Sequence, residues 1–238
     1  MVVTTLSRKG SRAYSSAVPR VISAIPARRI DTRQARARQP CTYPITPAMS
    51  TELTSAKRAL RAELRATRDA LPLKERQDRV RRAHSHLAHC KPWTDARAIA
   101  GYLPHQSEFD PLLMMRDALE HGVRVVCPRV VGKTLQFHEW QTGDPTETAI
   151  GGVLQPTDSG AVTPAEDIDL FLTPLLGVGE HGIRLGYGGG FYDRLFAEVE
   201  GFKLGVGFAI QQVDRWEIEA HDQKLDAFLS EEGLTVFT

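Results

Sequence analysis

Cysteine and long apolar runs are both scarce in this 238-residue chain, and each scarcity excludes something. Its three cysteines, Cys41, Cys90 and Cys127, are odd in number and far apart, which excludes a secreted disulfide framework and a paired-cysteine zinc site. Reduced thiols are the expectation. The longest mostly apolar stretch, Leu170 to Val178, is broken by Thr173 and Pro174 and falls well short of the roughly 18 to 20 residues that a bilayer-crossing helix needs. No membrane partner is expected. Collagen-like and disordered classes are excluded as well, because a hydrophobic fraction of 42% provides a core without a disulfide or metal staple.

Acidic residues are missing from one part only. Residues 1–48 hold nine Lys and Arg against the single acid Asp31, so the formal net charge of +1 averages a leader at +8 and a body at −7. The leader is rich in Arg, Ser and Thr, and Pro19, Pro26, Pro40, Pro44 and Pro47 break any long amphipathic helix. Residues 1–49 are therefore expected to form a disordered basic extension, either an organellar transit peptide or an upstream segment outside the working protein. The matching locations are the mitochondrial matrix for the first account and the cytoplasm for the second. Residues 50–238 are expected to form one domain.

Within that domain, Leu53, Ala56, Leu60, Leu64 and Leu71 recur at helical spacing after the cap candidates Ser50 and Thr51, and Pro72 ends the helix. A second helix is expected to about Cys90, which makes a basic helical hairpin carrying ten Lys and Arg against four acids between Lys57 and Arg82. Strands are expected over Ala98–Leu103, Val123–Cys127, Leu135–Trp140, Ile168–Leu172 and Lys203–Phe208, with weaker ones at Asp226–Leu229 and Thr235–Phe237. Helices are expected from Asp110-Pro111 to His121 and over Tyr192–Val199, and residues 141–165 read as a long loop. This alternation argues an α/β fold: a single domain with a mainly parallel sheet covered by helices on both faces, plus the N-terminal helical hairpin.

The densest chemical signal is Arg184-Leu185-Gly186-Tyr187-Gly188-Gly189-Gly190-Phe191-Tyr192-Asp193-Arg194, between a strand end and a helix start. Four glycines in five residues let the backbone approach a ligand closely and turn N–H groups toward one point, which suits a phosphate. No Gly-Lys-Ser/Thr follows, so it is not a P-loop, and it does not follow the first strand of a βαβ unit, so it is not the dinucleotide fingerprint. Arg184 can neutralise phosphate charge, and Asp193 can hold Mg²⁺.

That segment, with Pro174-Leu175-Leu176-Gly177 before it, resembles the signature of the 5-formyltetrahydrofolate cyclo-ligases, also called 5,10-methenyltetrahydrofolate synthetases. The resemblance extends to Lys57-Arg58-x-Leu60-Arg61, to Tyr102-Leu103-Pro104 with Ser107-Glu108-Phe109-Asp110, and to His221-Asp222 with Lys224-Leu225-Asp226. It implies a ligase that closes 5-formyltetrahydrofolate to 5,10-methenyltetrahydrofolate with ATP and Mg²⁺, through a phosphorylated formyl intermediate. Carried over, Lys57, Arg61 and Arg184 are the catalytic cations. The nucleotide would lie against Lys57, Arg58, Ala59, Leu60 and Arg61 and against the run Arg184, Leu185, Gly186, Tyr187, Gly188, Gly189, Gly190, Phe191 and Tyr192. The folate would touch Arg61, Leu103, Glu108 and Tyr187 to Gly190, and Asp193 with Asp222 would bind the metal. This sequence departs from the family pattern at Val178, Gly179, Tyr187 and Phe191.

Weighed against these readings are plainer ones. His84, His86, His89 and Cys90 read as a polar helix end rather than a metal cluster, and most charges of the helical hairpin as a solvated face, Lys57 and Arg61 excepted. A nucleotide- or RNA-binding module of the same fold without cyclisation is the alternative. Small-molecule substrates, a monomer and no nucleic-acid partner are expected.

Overall fold

The computed structural model describes residues 47–213 and 222–237; the leader up to residue 46, Trp216-Glu217-Ile218 and His221 lie outside them. Helix α1 (Pro47–Asp69) is followed by α2 (Leu73–Ser85) and the short α3 (Lys91–Asp95). Then come β1 (Ala98–Ala100), α4 (Leu112–Glu120), β2 (Arg124–Val131) and β3 (Thr134–Glu139). The pairs β4 (Thr146–Thr148) with β5 (Leu154–Pro156), and β8 (Gly177–Val178) with β9 (Arg184–Leu185), are small antiparallel hairpins. Between them lie β6 (Val162–Thr163) and β7 (Leu170–Pro174), and α5 (Phe191–Phe196), β10 (Phe202–Val206), β11 (Ala227–Ser230) and β12 (Gly233–Val236) complete the fold.

Eight strands form one sheet in the order β12-β11-β10-β7-β1-β2-β3-β6. The five central strands, β11, β10, β7, β1 and β2, are parallel, and the edges are antiparallel. Such a sheet is buried on both faces, which is why its strands read as unbroken apolar runs. Alternation divides each run: Ile99, Val125, Leu170, Leu172, Leu204 and Val206 face α2 and α4, where Val80, Ala83, Met114, Met115 and Ala118 lie. Ala100, Val126, Phe171 and Phe228 face the other way, against Phe137, Leu175 and Phe196. At the centre of that second face Phe171 stands edge-on to both Phe137 and Phe196, with centroids 5.7 and 5.6 Å away.

The helical hairpin divides its labour: α2 lies on β11 and α4, whereas α1 lies against the 3-10 turn Ala209–Gln211. The buried side of α1 differs from the leucine stripe, since Ala56 is exposed while Lys57, Leu64 and Arg68 are buried. Several boundaries also move. Helix α1 begins at Pro47, ahead of the expected caps, because proline lacks the N–H that the first helical position leaves unbonded. Residues 141–165 are not one loop: β4 and β5 pair with each other and β6 joins β3, strands too short and polar to show a period. Strand β2 runs on to Val131 because the turn at Gly132, with φ +60°, folds it directly into β3.

Phe171→Ala removes the ring that both neighbouring aromatics pack against. It is expected to cost about 3–5 kcal/mol in urea unfolding, with the denaturant slope unchanged.

Candidate functional site

A cleft of about 600 Å³ opens where β1, β2 and β7 end, lined by Tyr102, Leu103, Pro128, Val130 and Pro174. The chain leaves β1 for β2 on one side and β7 lies on the other side of β1, so the strand order reverses here. Crevices at such reversals, outside the carboxyl ends of parallel strands, are where open α/β sheets bind ligands.

The glycine run forms one wall. Strand β9 ends at Leu185 and α5 begins at Phe191, so residues 186–190 are free of ladder bonds. Gly188 has φ +97° and Gly190, at the start of α5, has φ +65°, both in the left-handed region that side-chain residues avoid. Gly186 is glycine for a different reason, because a Cβ there would collide with Arg184 Nη1. Arg184 is 5% exposed; its Nη2 donates to Asp193 Oδ1 at 3.0 Å, and its Nη1 points at the Pro174 carbonyl at 3.4 Å. Its Nε is buried with no hydrogen-bond partner among the described residues. A guanidinium fixed in the wall beside the glycine run suits an anion there.

Helix α1 forms the second wall. Lys57 Nζ lies 2.8 Å from Asp222 Oδ2, and both groups are nearly buried, with 5% and 11% of their side chains exposed. One turn on, Arg61 Nε donates to the Gly186 carbonyl at 2.9 Å, which anchors the glycine run to the helix. The four-residue spacing therefore does place both cations toward one site. Arg58 and Ala59 are exposed, Leu60 is half-buried, and none of the three lines the cleft.

The third wall is the turn after β1. Glu108 Oε2 accepts the His105 N–H at 2.8 Å, which leaves the half-buried carboxylate facing the cleft beside Leu103. Tyr102, beneath it, donates its hydroxyl to the Phe109 carbonyl at 2.6 Å. The phenols of Tyr187 and Tyr192 are both held above the ordinary tyrosine range, chiefly by burial. At Tyr187 the Glu108 charge adds to the rise and Arg68 opposes it; at Tyr192 the opposing charge is Arg184, whose guanidinium stacks 5.4 Å above the ring.

Arg61, Leu103, Glu108, Arg184, the run Leu185 to Tyr192, Asp193 and Asp222 all line this one cleft, and Lys57 is attached to it through Asp222. Sequence reasoning missed Arg65 and Arg68. Arg65 lines the cleft with its guanidinium 5.7 Å from the centroid of Tyr187, and Arg68, 2% exposed, bonds the hydroxyl of that tyrosine. A signal was available: 57, 61, 65 and 68 form one helical row. It is hidden because the charges of the hairpin other than Lys57 and Arg61 read as a solvated face.

Neither carboxylate proposed for a metal stands alone, since Asp193 pairs with Arg184 and Asp222 with Lys57. No group of three or more metal-ligating side chains occurs among the described residues. Magnesium fits nonetheless where phosphate supplies most of its oxygens, because it is commonly held by one or two carboxylates together with substrate and water. Asp193 Oδ2 has no hydrogen-bond partner among the described residues and stands at the cleft wall. The histidines lie elsewhere: His84 faces Asp117 at 3.3 Å and His86 the Glu231 carbonyl at 3.4 Å.

The pairing makes a stability difference testable. Arg68→Met strips the hydrogen bonds from a buried cluster and is expected to cost about 2–3 kcal/mol, whereas Arg65→Met, at the surface, is expected to stay within about 0.5 kcal/mol; denaturant midpoints measure both.

Comparison with known proteins gives a consistent result. The sequence model of the 5-formyltetrahydrofolate cyclo-ligase family matches residues 53–231. The chain is 27% identical over 174 residues to the 5-formyltetrahydrofolate cyclo-ligase of Escherichia coli K12, covering 70% of this chain and 96% of that one. It is 26% identical over 196 residues to the cyclo-ligase of Mus musculus, covering 76% and 96%. Among solved structures, the 5,10-methenyltetrahydrofolate synthetase of Aquifex aeolicus superposes with a TM-score of 0.68 at 26% identity, over 76% of this chain and 92% of that one.

Proposed function

Because the chain belongs to the 5-formyltetrahydrofolate cyclo-ligase family, we propose that it converts 5-formyltetrahydrofolate to 5,10-methenyltetrahydrofolate, consuming ATP and releasing ADP and phosphate. The observation that carries this reading is the meeting, in one cleft, of a glycine run backed by buried cations with a carboxylate that can accept from a pterin donor edge.

The reaction has two displacements. The formyl oxygen is a poor leaving group, so it first attacks the γ-phosphorus and becomes a phosphate ester, with ADP departing. N10 of the folate then attacks the formyl carbon, the ring closes, and phosphate leaves with that oxygen and takes up the proton that N10 gives up. No protein nucleophile is needed. The protein supplies alignment of oxygen and phosphorus, fixed positive charge, and exclusion of water from the phosphorylated intermediate.

Each of those tasks has residues assigned to it. Arg184 and Lys57 are cations already oriented by carboxylates, so little reorganisation accompanies charge build-up on the transferring phosphoryl group. Arg61 holds the glycine run by its Gly186 carbonyl and lines the cleft. Glu108, braced by the His105 N–H, accepts from the pterin and fixes the ring so that the formyl group points at the phosphate wall. Asp193 and Asp222 would hold Mg²⁺ together with the nucleotide; when bound, the ion neutralises phosphate charge.

The protein incubated with MgATP and 5-formyltetrahydrofolate is expected to develop the long-wavelength absorbance of a methenyl product, with one ADP per product. No absorbance change would sink the assignment. Lys57→Gln and Asp193→Asn are expected to lower kcat on the order of 100-fold or more with unchanged circular dichroism. Wild-type rates in both would remove them from the chemistry. Chelation by EDTA is expected to stop turnover and added Mg²⁺ to restore it.

A further inference from the structure

Arg68 takes no part in the chemistry just described, yet it is only 2% exposed. Its Nη1 donates to the Tyr187 hydroxyl at 2.6 Å and its Nε to the Ser107 hydroxyl at 2.9 Å. Ser107 in turn donates to the carboxylate of Asp69, the neighbour of Arg68 on α1. One guanidinium therefore bridges two loops that arrive from different places: Tyr187 belongs to the glycine run after β9, and Ser107 to the turn after β1. Glu108, next to Ser107, and Tyr187 also line the same cleft.

The turn that Arg68 holds is strained. Gln106, immediately before Ser107, has φ +55°, a left-handed conformation that costs a residue with a side chain about 1–2 kcal/mol. Left alone, such a turn relaxes. What opposes the relaxation is the bond from Arg68 to Ser107 on one side and the brace between Glu108 and the His105 N–H on the other. On the opposite loop, Tyr187 sits between two glycines, and its hydroxyl bond to Arg68 adds to the hold that Arg61 has on the neighbouring Gly186 carbonyl.

We propose that Arg68 is a positioning residue that couples the glycine-run wall to the Glu108 wall through Tyr187 and Ser107, so that nucleotide and folate each tighten the binding of the other. The inference rests on the assignment of these two ligands to the cleft. Phosphates on the glycine run fix Tyr187, which fixes the guanidinium, which holds the strained turn in the form that presents Glu108. The ordering is then already complete when the second substrate arrives. An ATP site occupied without folate is correspondingly less tight, which suits an enzyme whose γ-phosphoryl group must not be lost to water before the formyl oxygen is in place.

Calorimetric titration of the full chain with 5-formyltetrahydrofolate, with and without a saturating non-hydrolysable ATP analogue and Mg²⁺, reads the coupling as a ratio of two Kd values. The wild type is expected to give a ratio of about fivefold or more, and the reverse titration the same factor, since coupling is reciprocal. In Arg68→Met the ratio is expected to fall to within about twofold of one. Tyr187→Phe keeps the ring while removing the hydroxyl, and is expected to do the same, so the test survives if Arg68→Met fails to fold. A purely structural role would weaken both ligands and leave the ratio intact. A wild-type ratio near one, or a wild-type ratio that persists in Tyr187→Phe, overturns the inference while leaving the cyclo-ligase reading in place. A wild type that binds neither ligand overturns both.

Discussion

Charge folded into the edge of a sheet has to be paired, and the cleft is the consequence. Lys57, Arg68 and Arg184 are all at most 5% exposed, and a buried cation without a partner costs several kcal/mol. Each is satisfied by a different part of the chain: Lys57 by Asp222, Arg68 by Ser107 and Tyr187, Arg184 by Asp193. The pairings draw the first helix, the turn after β1, the glycine run and the segment before β11 to one point. A buried pair adds little net stability compared with an apolar replacement. What these pairs contribute is position, since three fixed cations meet where the parallel strands end.

The sheet explains why that point is where it is. Five parallel strands buried on both faces leave only their ends for polar chemistry, and the reversal beside β1 opens the crevice. The body of the protein is acidic by composition, whereas the helical row 57, 61, 65 and 68 is wholly basic. A polyanionic small molecule entering this cleft meets concentrated positive charge in a mostly negative surround, which favours it over larger anions that must also cover the acidic surface.

Much of this was legible in the sequence, and the misses share a cause. The parallel strands and α4 were readable because apolar runs bounded by Gly and Pro are local signals; the glycine run was readable because four glycines in five residues have few other uses. Helix α1 was found, but only part of its buried side was read: Leu64 is buried as the stripe implies, and Lys57 and Arg68 are buried beside it. Periodicity cannot rank a lysine above a leucine for burial unless its partner is known, and Asp222 is 165 positions away. The hairpin of β4 and β5 was missed for the same reason on a smaller scale, as each strand has only three residues and takes its order from its neighbour. Glu108 was singled out on resemblance alone, and its brace from His105 became visible only in three dimensions.

In the proposed reading, one cleft at the end of the parallel strands holds nucleotide and folate face to face. A crystal structure with a non-hydrolysable ATP analogue, Mg²⁺ and 5-formyltetrahydrofolate tests it most directly. The γ-phosphate is expected within hydrogen-bonding distance of Lys57 and Arg184, the pterin on Glu108, and the formyl oxygen in line with the γ-phosphorus at roughly 3–3.5 Å. A nucleotide bound away from residues 184–193, or a folate that does not reach Glu108, would contradict it.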